Sequence, residues 1–149
     1  DRPHEDELQP NRDRMEEQVI HYCVAHGIPI IATCRGMQYI NVMFGGKLWY
    51  HPKLPVNRTR GVDHQVWLVK EQRNIWVNNY HSDCIYEEGL ASCFEPLAID
   101  RENHVVEAYG SDEMKILALQ WHPERRFETA NAYEETRKII LDFIQKYVK

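Results

Sequence analysis

Cys34, His122 and Glu124 are the residues whose types and surroundings best fit covalent chemistry. Cys34 ends the apolar run Ile-Pro-Ile-Ile-Ala-Thr (28–33) and is followed at once by Arg35-Gly36 and a helical pattern. A strand that turns sharply into a helix lifts the side chain at the turn into a cleft. The helix N-terminus behind the turn favours a thiolate, so the thiol pKa is expected to be lowered. Gly36, lacking a Cβ, is expected to let helix and strand approach closely. Backbone N–H groups at the turn, that of Arg35 above all, can face a developing oxyanion. On the elbow alone, a buried structural cysteine explains Cys34 equally well.

The second constellation is QWHPE at 120–124, which follows a strong strand pattern. On an extended segment His122 and Glu124, two apart, point to the same side. A carboxylate beside an imidazole fixes its tautomer and stabilises the imidazolium. His122 can then serve Cys34 as general base and later as general acid. A His-x-Glu pair standing alone is more often a solvated loop, so the pair gains meaning only beside Cys34. His81 and Cys84 offer two metal-ligand types, but no further pair completes a zinc signature and no CxxC occurs. The four cysteines, at 23, 34, 84 and 93, read as free thiols, one nucleophilic and the others packed as small apolar residues.

These residues need elements to hold them. Asn11 is a candidate helix N-cap, and Met15, Val19, Tyr22, Cys23 and His26 follow at helical steps that trace one face, closed by Gly27. The run 28–33 is apolar on both sides, the pattern of a buried strand in a parallel sheet. Helix returns over 35–44 and ends at Gly45-Gly46. Short strands are expected at 64–69, 75–80, 94–99, 104–109 and 115–121, then an amphipathic helix over 133–147. Together they make one α/β domain over residues 1–149, with 1–10 an exposed loop. Nothing before 28–33 reads as a strand, so the chain is expected to enter a larger domain partway through; the alternative is a smaller, complete α/β domain.

Bulk composition narrows the function classes. A net charge of -5 gives no electrostatic case for nucleic-acid or anionic-membrane binding, and Arg58 with Arg60 is too small a cluster to reverse it. No run of about 18 apolar residues spans a membrane. The opening DRPHEDELQP has neither a signal-peptide nor a transit-peptide pattern, which leaves the cytoplasm as the default.

CRGMQ (34–38) with YINVMFGGKL (39–48), VNNYHS (77–82) and QWHPE (120–124) resemble, in order, the motifs of the class I glutamine amidotransferase superfamily. Within it, the gamma-glutamyl-gamma-aminobutyrate hydrolase group is the most similar. WHPER, His64 in GVDHQV and the short spacer before VNNYH carry a finer resemblance to hydrolases of gamma-glutamyl nucleotide amidates. The resemblance implies a flavodoxin-like α/β fold with a mixed central sheet, and chemistry that needs no metal or organic cofactor. It implies Cys34 as nucleophile, His122 as base and Glu124 as its orienter. Arg35 matches the position whose backbone N–H enters the oxyanion hole, and Gln38 one that helps hold the glutamyl side chain. Tyr80, His81 and Ser82 match the segment lining the site for the α-amino and α-carboxylate end. Without the resemblance, Gln38 reads as helix surface and Tyr80 as strand core.

Three departures stand out. Ala32 occupies a position that is often Gly in the family. Ser82-Asp83 follow His81 where another His or Asn and then Gln are common. The family's N-terminal strands, and the Gly-Gly loop giving a second oxyanion N–H, have no counterpart in this sequence, which would cost about 2.7–4 kcal/mol of transition-state stabilisation. The expected function is hydrolysis of a γ-glutamyl amide or glutamine through a thioester. Alternatives are a glutaminase that delivers ammonia to a synthase partner, and a catalytically silent binding module of the same fold.

Overall fold

The computed structural model describes residues 10–53 and 59–148, excluding the side chains of Pro10 and Asn11. The loop expected at 1–10 and Arg58 fall outside the described residues, except that Pro10 already opens the first helix, α1 (Pro10–His26). Asn11 therefore lies inside that helix and is not its cap. Gly27, at φ 66°, ends it in the left-handed conformation that glycine adopts without a Cβ penalty.

After α1 come β1 (Ile30–Thr33), α2 (Arg35–Met43), β2 (His64–Leu68), β3 (Arg73–Val77), β4 (Ile85–Tyr86), β5 (Glu95–Asp100), β6 (Val105–Ser111), β7 (Ile116–Leu119) and α3 (Ala132–Tyr147). The strands form one mixed sheet in the order β1-β7-β6-β5-β2-β3, with β4 pairing β6 off this path. Among the described residues only β1 and β7 pair in parallel, in the register Ile30↔Ile116 to Thr33↔Leu119. The antiparallel meander from β5 to β7 follows from connections too short for crossovers.

Side-chain alternation splits the core between the two faces. Met37 and Ile40 of α2 and Ile20 of α1 pack with Ala32, Tyr109, Ile116 and Ala118. Phe143 of α3 packs with Val66, Leu68, Ile75, Leu117 and Leu119 on the opposite face. The strands buried on both faces are thus β7, all four of whose residues are buried, and β6, buried from Val105 to Gly110. β1 differs from expectation: Ile31 is 39% exposed, because the face away from α2 has no cover among the described residues.

The apolar stripe of α1 also differs. Met15, Val19 and Tyr22 are exposed, at 65%, 55% and 58%. The helix instead turns Ile20 and Val24 to the core and Asp13 and Glu16 to Arg35 of α2. Helical spacing identified a real stripe, but the polar contacts decide which face α2 receives. No helix among the described residues is long and apolar enough to cross a membrane.

Candidate active site

The parallel pairing of β1 and β7 brings their C-terminal ends together. Cys34 leaves β1 and donates its backbone N–H to Leu119 O (2.8 Å), and Leu119 is the last residue of β7, three before His122. Chain ends of adjacent parallel strands are where α/β folds place ligand sites. Cys34 stands at φ 49°, ψ -107°, a positive-φ conformation outside the ordinary left-handed well, and its carbonyl accepts the N–H of Gln38 (3.1 Å) in the first turn of α2. Such strain costs about 1–3 kcal/mol and persists only where its surroundings enforce it. Here the strand bond on one side and the helix on the other enforce it, as a nucleophile elbow requires.

Two expectations about the elbow change. Gly36 is not required for close approach: a Cβ there would meet Ala32 Cβ at 3.6 Å, an ordinary contact. Nor is the Cys34 thiol acidified. Burial pushes its pKa up, outweighing the Arg35 backbone N–H and the charges of Arg125 and Arg60; the Glu124 charge adds to the rise. Burial thus favours the neutral thiol.

His122 and Glu124 form a paired imidazole and carboxylate. His122 Nδ1–H donates to Glu124 Oε2 at 2.9 Å, so Nε2 is the nitrogen left to accept a proton. Partial burial opposes ionisation of Glu124, but its own backbone N–H, the His122 hydrogen bond and the charges of His122 and Arg125 together hold its pKa below the usual range. The pair forms differently from the alternation expected of an extended segment. β7 ends at Leu119, and the Arg125 N–H reaches back to His122 O (3.1 Å), so a turn folds Glu124 beside the ring. Trp121, fully buried, anchors this turn by donating Nε1–H to Thr136 Oγ1 of α3 (3.0 Å).

Asn78, which residue type and spacing alone do not mark, fixes the backbone of His122. Its Nδ2 donates to His122 O (2.8 Å), and its Oδ1 accepts the His122 N–H (3.0 Å). The carboxamide clamps the backbone of the histidine from both sides, and it is fully buried. Tyr80 lies outside β3, where it presents an aromatic edge to His122 (centroids 5.9 Å, 81° between planes). The guanidinium of Arg125 lies 4.8 Å and that of Arg60 5.7 Å from the Tyr80 ring centre. Arg60 also donates to Tyr80 O (3.0 Å).

Cys34 opens onto a cavity of about 500 Å³ that Arg35, Gln38, Tyr80, His81 and Ser82 also line. All five positions assigned to substrate by resemblance thus meet Cys34 in one space. Their roles within it differ. Arg35 offers its backbone N–H to Cys34, while its guanidinium turns away to Asp13 and Glu16 of α1. Gln38 is buried, and its Nε2 donates to Gln120 Oε1 and Asp83 O, both at 3.2 Å. His81 has both ring nitrogens turned to protein. Nδ1–H donates to Asp83 O (2.6 Å), and Nε2 lies 3.7 Å from Oε2 of the fully buried Glu107. His64 approaches the other Glu107 oxygen at 3.8 Å.

Donor atoms of His64, Asp100 and Glu107 lie within 4.8 Å of one another, a spacing compatible with a cation. Their protein contacts give each another role: Asp100 accepts Asn103 Nδ2–H (2.7 Å) in its turn, and Glu107 bridges the two histidines. The His81–Cys84 grouping is likewise occupied, since Cys84 sits buried in a backbone bridge with Trp49.

Residues 1–124 match the Peptidase C26 family. The chain belongs to that family. Among its relatives is the glutamine amidotransferase-like protein YvdE of Lactococcus lactis, 31% identical over 136 residues, which span 80% of this chain and 56% of YvdE. Gamma-glutamyl-gamma-aminobutyrate hydrolase PuuD of Escherichia coli is 28% identical over 145 residues, spanning 80% of this chain and 55% of PuuD. The fold is that of a solved glutamine amidotransferase from Thermotoga maritima, with a TM-score of 0.63 at 19% identity over 91% of this chain and 57% of that one. This Peptidase C26 chain therefore spans about half the length of such relatives.

Proposed function

We propose that the chain carries the nucleophile, base and glutamyl-binding wall of a cysteine-dependent γ-glutamyl amide hydrolase. One observation carries the reading above others: Cys34 in a strained elbow at the end of β1, adjoining the β7 end that leads into the hydrogen-bonded His122–Glu124 pair. The names of PuuD and YvdE point the same way.

In this reading His122 Nε2 takes the Cys34 proton as sulfur attacks the γ-carbonyl carbon. The carbonyl π electrons move onto oxygen, which the Arg35 N–H faces. The oxyanion collapses, the C–N bond breaks, and His122 returns its proton to the departing amine or ammonia. The resulting thioester is attacked by water, whose proton passes to His122. Collapse of the second tetrahedral intermediate releases glutamate and restores the thiol. Glu124 holds the imidazolium throughout. A raised thiol pKa suits this order, because proton transfer is then coupled to substrate entry.

The leaving-group reading is suggested by Arg60 and Arg125 around Tyr80, beside His122. Two guanidiniums and an aromatic ring fit an anionic amine, such as the nucleotide amidates of the finer resemblance, better than γ-aminobutyrate. Delivery of ammonia to a synthase is the second reading. A 27% identical relative in Bacillus subtilis, aminodeoxychorismate/anthranilate synthase component 2, favours it.

The test is glutamate release from a panel of γ-glutamyl amides with neutral, cationic and anionic leaving amines. Hydrolysis abolished by Cys34→Ala is expected, with the anionic members fastest. Full hydrolysis by that variant would overturn the mechanism. Glutaminase activity that rises only on adding a synthase would select the second reading.

A further inference from the structure

We infer that the Asp83 carboxylate receives the α-ammonium group of the γ-glutamyl substrate and makes the site specific for γ-glutamyl groups with a free α-amine. The assignment rests on the hydrolase reading above and names a residue that the motifs do not.

Two carboxylates line the Cys34 cavity, those of Asp13 and Asp83. Their electrostatic states differ. Asp13 is neutralised by the Arg35 guanidinium. Among the described residues, the Asp83 carboxylate meets only His51: Oδ1 accepts the His51 N–H at 3.0 Å and lies 3.9 Å from its exposed ring. Asp83 is thus a partly buried anion, its side chain 19% exposed, with no Lys or Arg within ion-pair reach among those residues. A free glutamyl α-amine brings one positive charge and three N–H donors, the complement of that wall. A carboxylate partly withdrawn from water makes strong charge-assisted hydrogen bonds to such a group.

The wall is also held still. The Asp83 carbonyl accepts from both Gln38 Nε2 (3.2 Å) and His81 Nδ1 (2.6 Å). His81 is itself backed by Glu107. The next residue, Cys84, exchanges backbone hydrogen bonds with Trp49 in both directions, at 2.9 and 3.0 Å. Gln38 and His81 therefore act on substrate through Asp83: their donors pin the backbone that aims its carboxylate. Because binding costs no reordering of this segment, the charge pairing goes into affinity.

The experiment titrates the full chain carrying Cys34→Ala with glutamate and with glutarate, which lacks the α-amine, by calorimetry. Glutamate is expected to bind about ten- to a hundredfold more tightly than glutarate. Adding Asp83→Asn should bring glutamate down to the glutarate level and leave glutarate equal or tighter. Asparagine keeps an oxygen for the His51 N–H, so the fold is expected to survive, with circular dichroism as the check. His51→Ala, which keeps the carboxylate, should preserve the preference. A glutamate preference that persists in Asp83→Asn overturns the assignment alone. If the Cys34→Ala chain binds neither ligand, the assignment falls together with the hydrolase reading.

Discussion

Replacing Asn78 with alanine removes the clamp on His122, the proposed base, without touching any atom of the proposed reaction. The carboxamide gives two short hydrogen bonds to the His122 backbone, at 2.8 and 3.0 Å, and two longer ones at 3.4 Å to Arg125 O and Arg126 O. The long pair is discounted as marginal geometry. Each short bond contributes about 0.5–1.5 kcal/mol net, and a buried partner left unsatisfied costs about 1–3 kcal/mol. Water entering the space vacated by the carboxamide recovers part of that, so a loss of about 2–4 kcal/mol is expected. Urea denaturation reads it as a lower midpoint at unchanged m. The catalytic loss should be larger than the stability loss alone explains. The turn that presents His122 is released, and a displacement of about 1 Å at a catalytic group costs roughly a hundredfold. Glutamate release, measured where the variant is fully folded, should fall mainly in kcat. Wild-type turnover, with stability changed by less than about 0.5 kcal/mol, would refute the clamp.

Other perturbations separate the parts of the site. Glu124→Gln should leave stability within about 1 kcal/mol, because the pair is largely exposed on the Glu124 side, yet lower kcat by at least roughly tenfold through loss of imidazolium stabilisation; unchanged kcat would remove Glu124 from the mechanism. The pKa of Glu124 is depressed, so its carboxylate persists as pH falls through the usual Glu range, and the loss of activity caused by protonating Glu124 should fall below that range; a pH–rate profile in which Glu124→Gln leaves the acid limb above that range unchanged is the expected result, and a limb that moves would contradict it. Iodoacetamide should alkylate Cys34 more slowly than Cys93 near neutral pH, because burial raises the pKa of both thiols and Cys93 is the exposed one; peptide mapping with Cys34 labelled first would contradict that. Gly36→Ala should leave the melting temperature equal or higher, since the added methyl meets only Ala32 Cβ at 3.6 Å and alanine favours helix by up to about 1 kcal/mol.

The fold was legible where one physical signal dominated. Spacing located the three helices and six of the seven strands, because their apolar residues alternate or repeat as those elements require. It did not find β4 or set the ends of β3, since Asn78, Asn79 and Tyr80 leave the sheet to make side-chain contacts that no hydrophobic period records. Met15, Val19 and Tyr22 share one helical face as the spacing indicates, but that face is exposed. Helix orientation was set by Arg35 with Asp13 and Glu16, a tertiary contact across about twenty residues.

At the site, Cys34, His122 and Glu124 were visible because each sits in a motif whose geometry is local. Asn78 and Glu107 were not singled out, and Asp83 stood out only as a departure from the family pattern, because their roles depend on partners distant in sequence. An asparagine ending a strand run and a glutamate inside the otherwise apolar 104–109 strand were the available signals. A carboxylate in the middle of a buried strand calls for a partner. The acidity of Cys34 was misjudged for a related reason: a helix N-terminus can be read from sequence, but the burial that outweighs it cannot.

The central claim is that Cys34 is the nucleophile of a glutamyl-directed site. Its most direct test is exposure of the full chain to a glutamine-like chloroketone, followed by mass spectrometry of the tryptic peptides. The predicted result is one adduct, on Cys34, suppressed by glutamate and absent in Cys34→Ala. An adduct on Cys23, Cys84 or Cys93 with Cys34 unmodified would contradict the account.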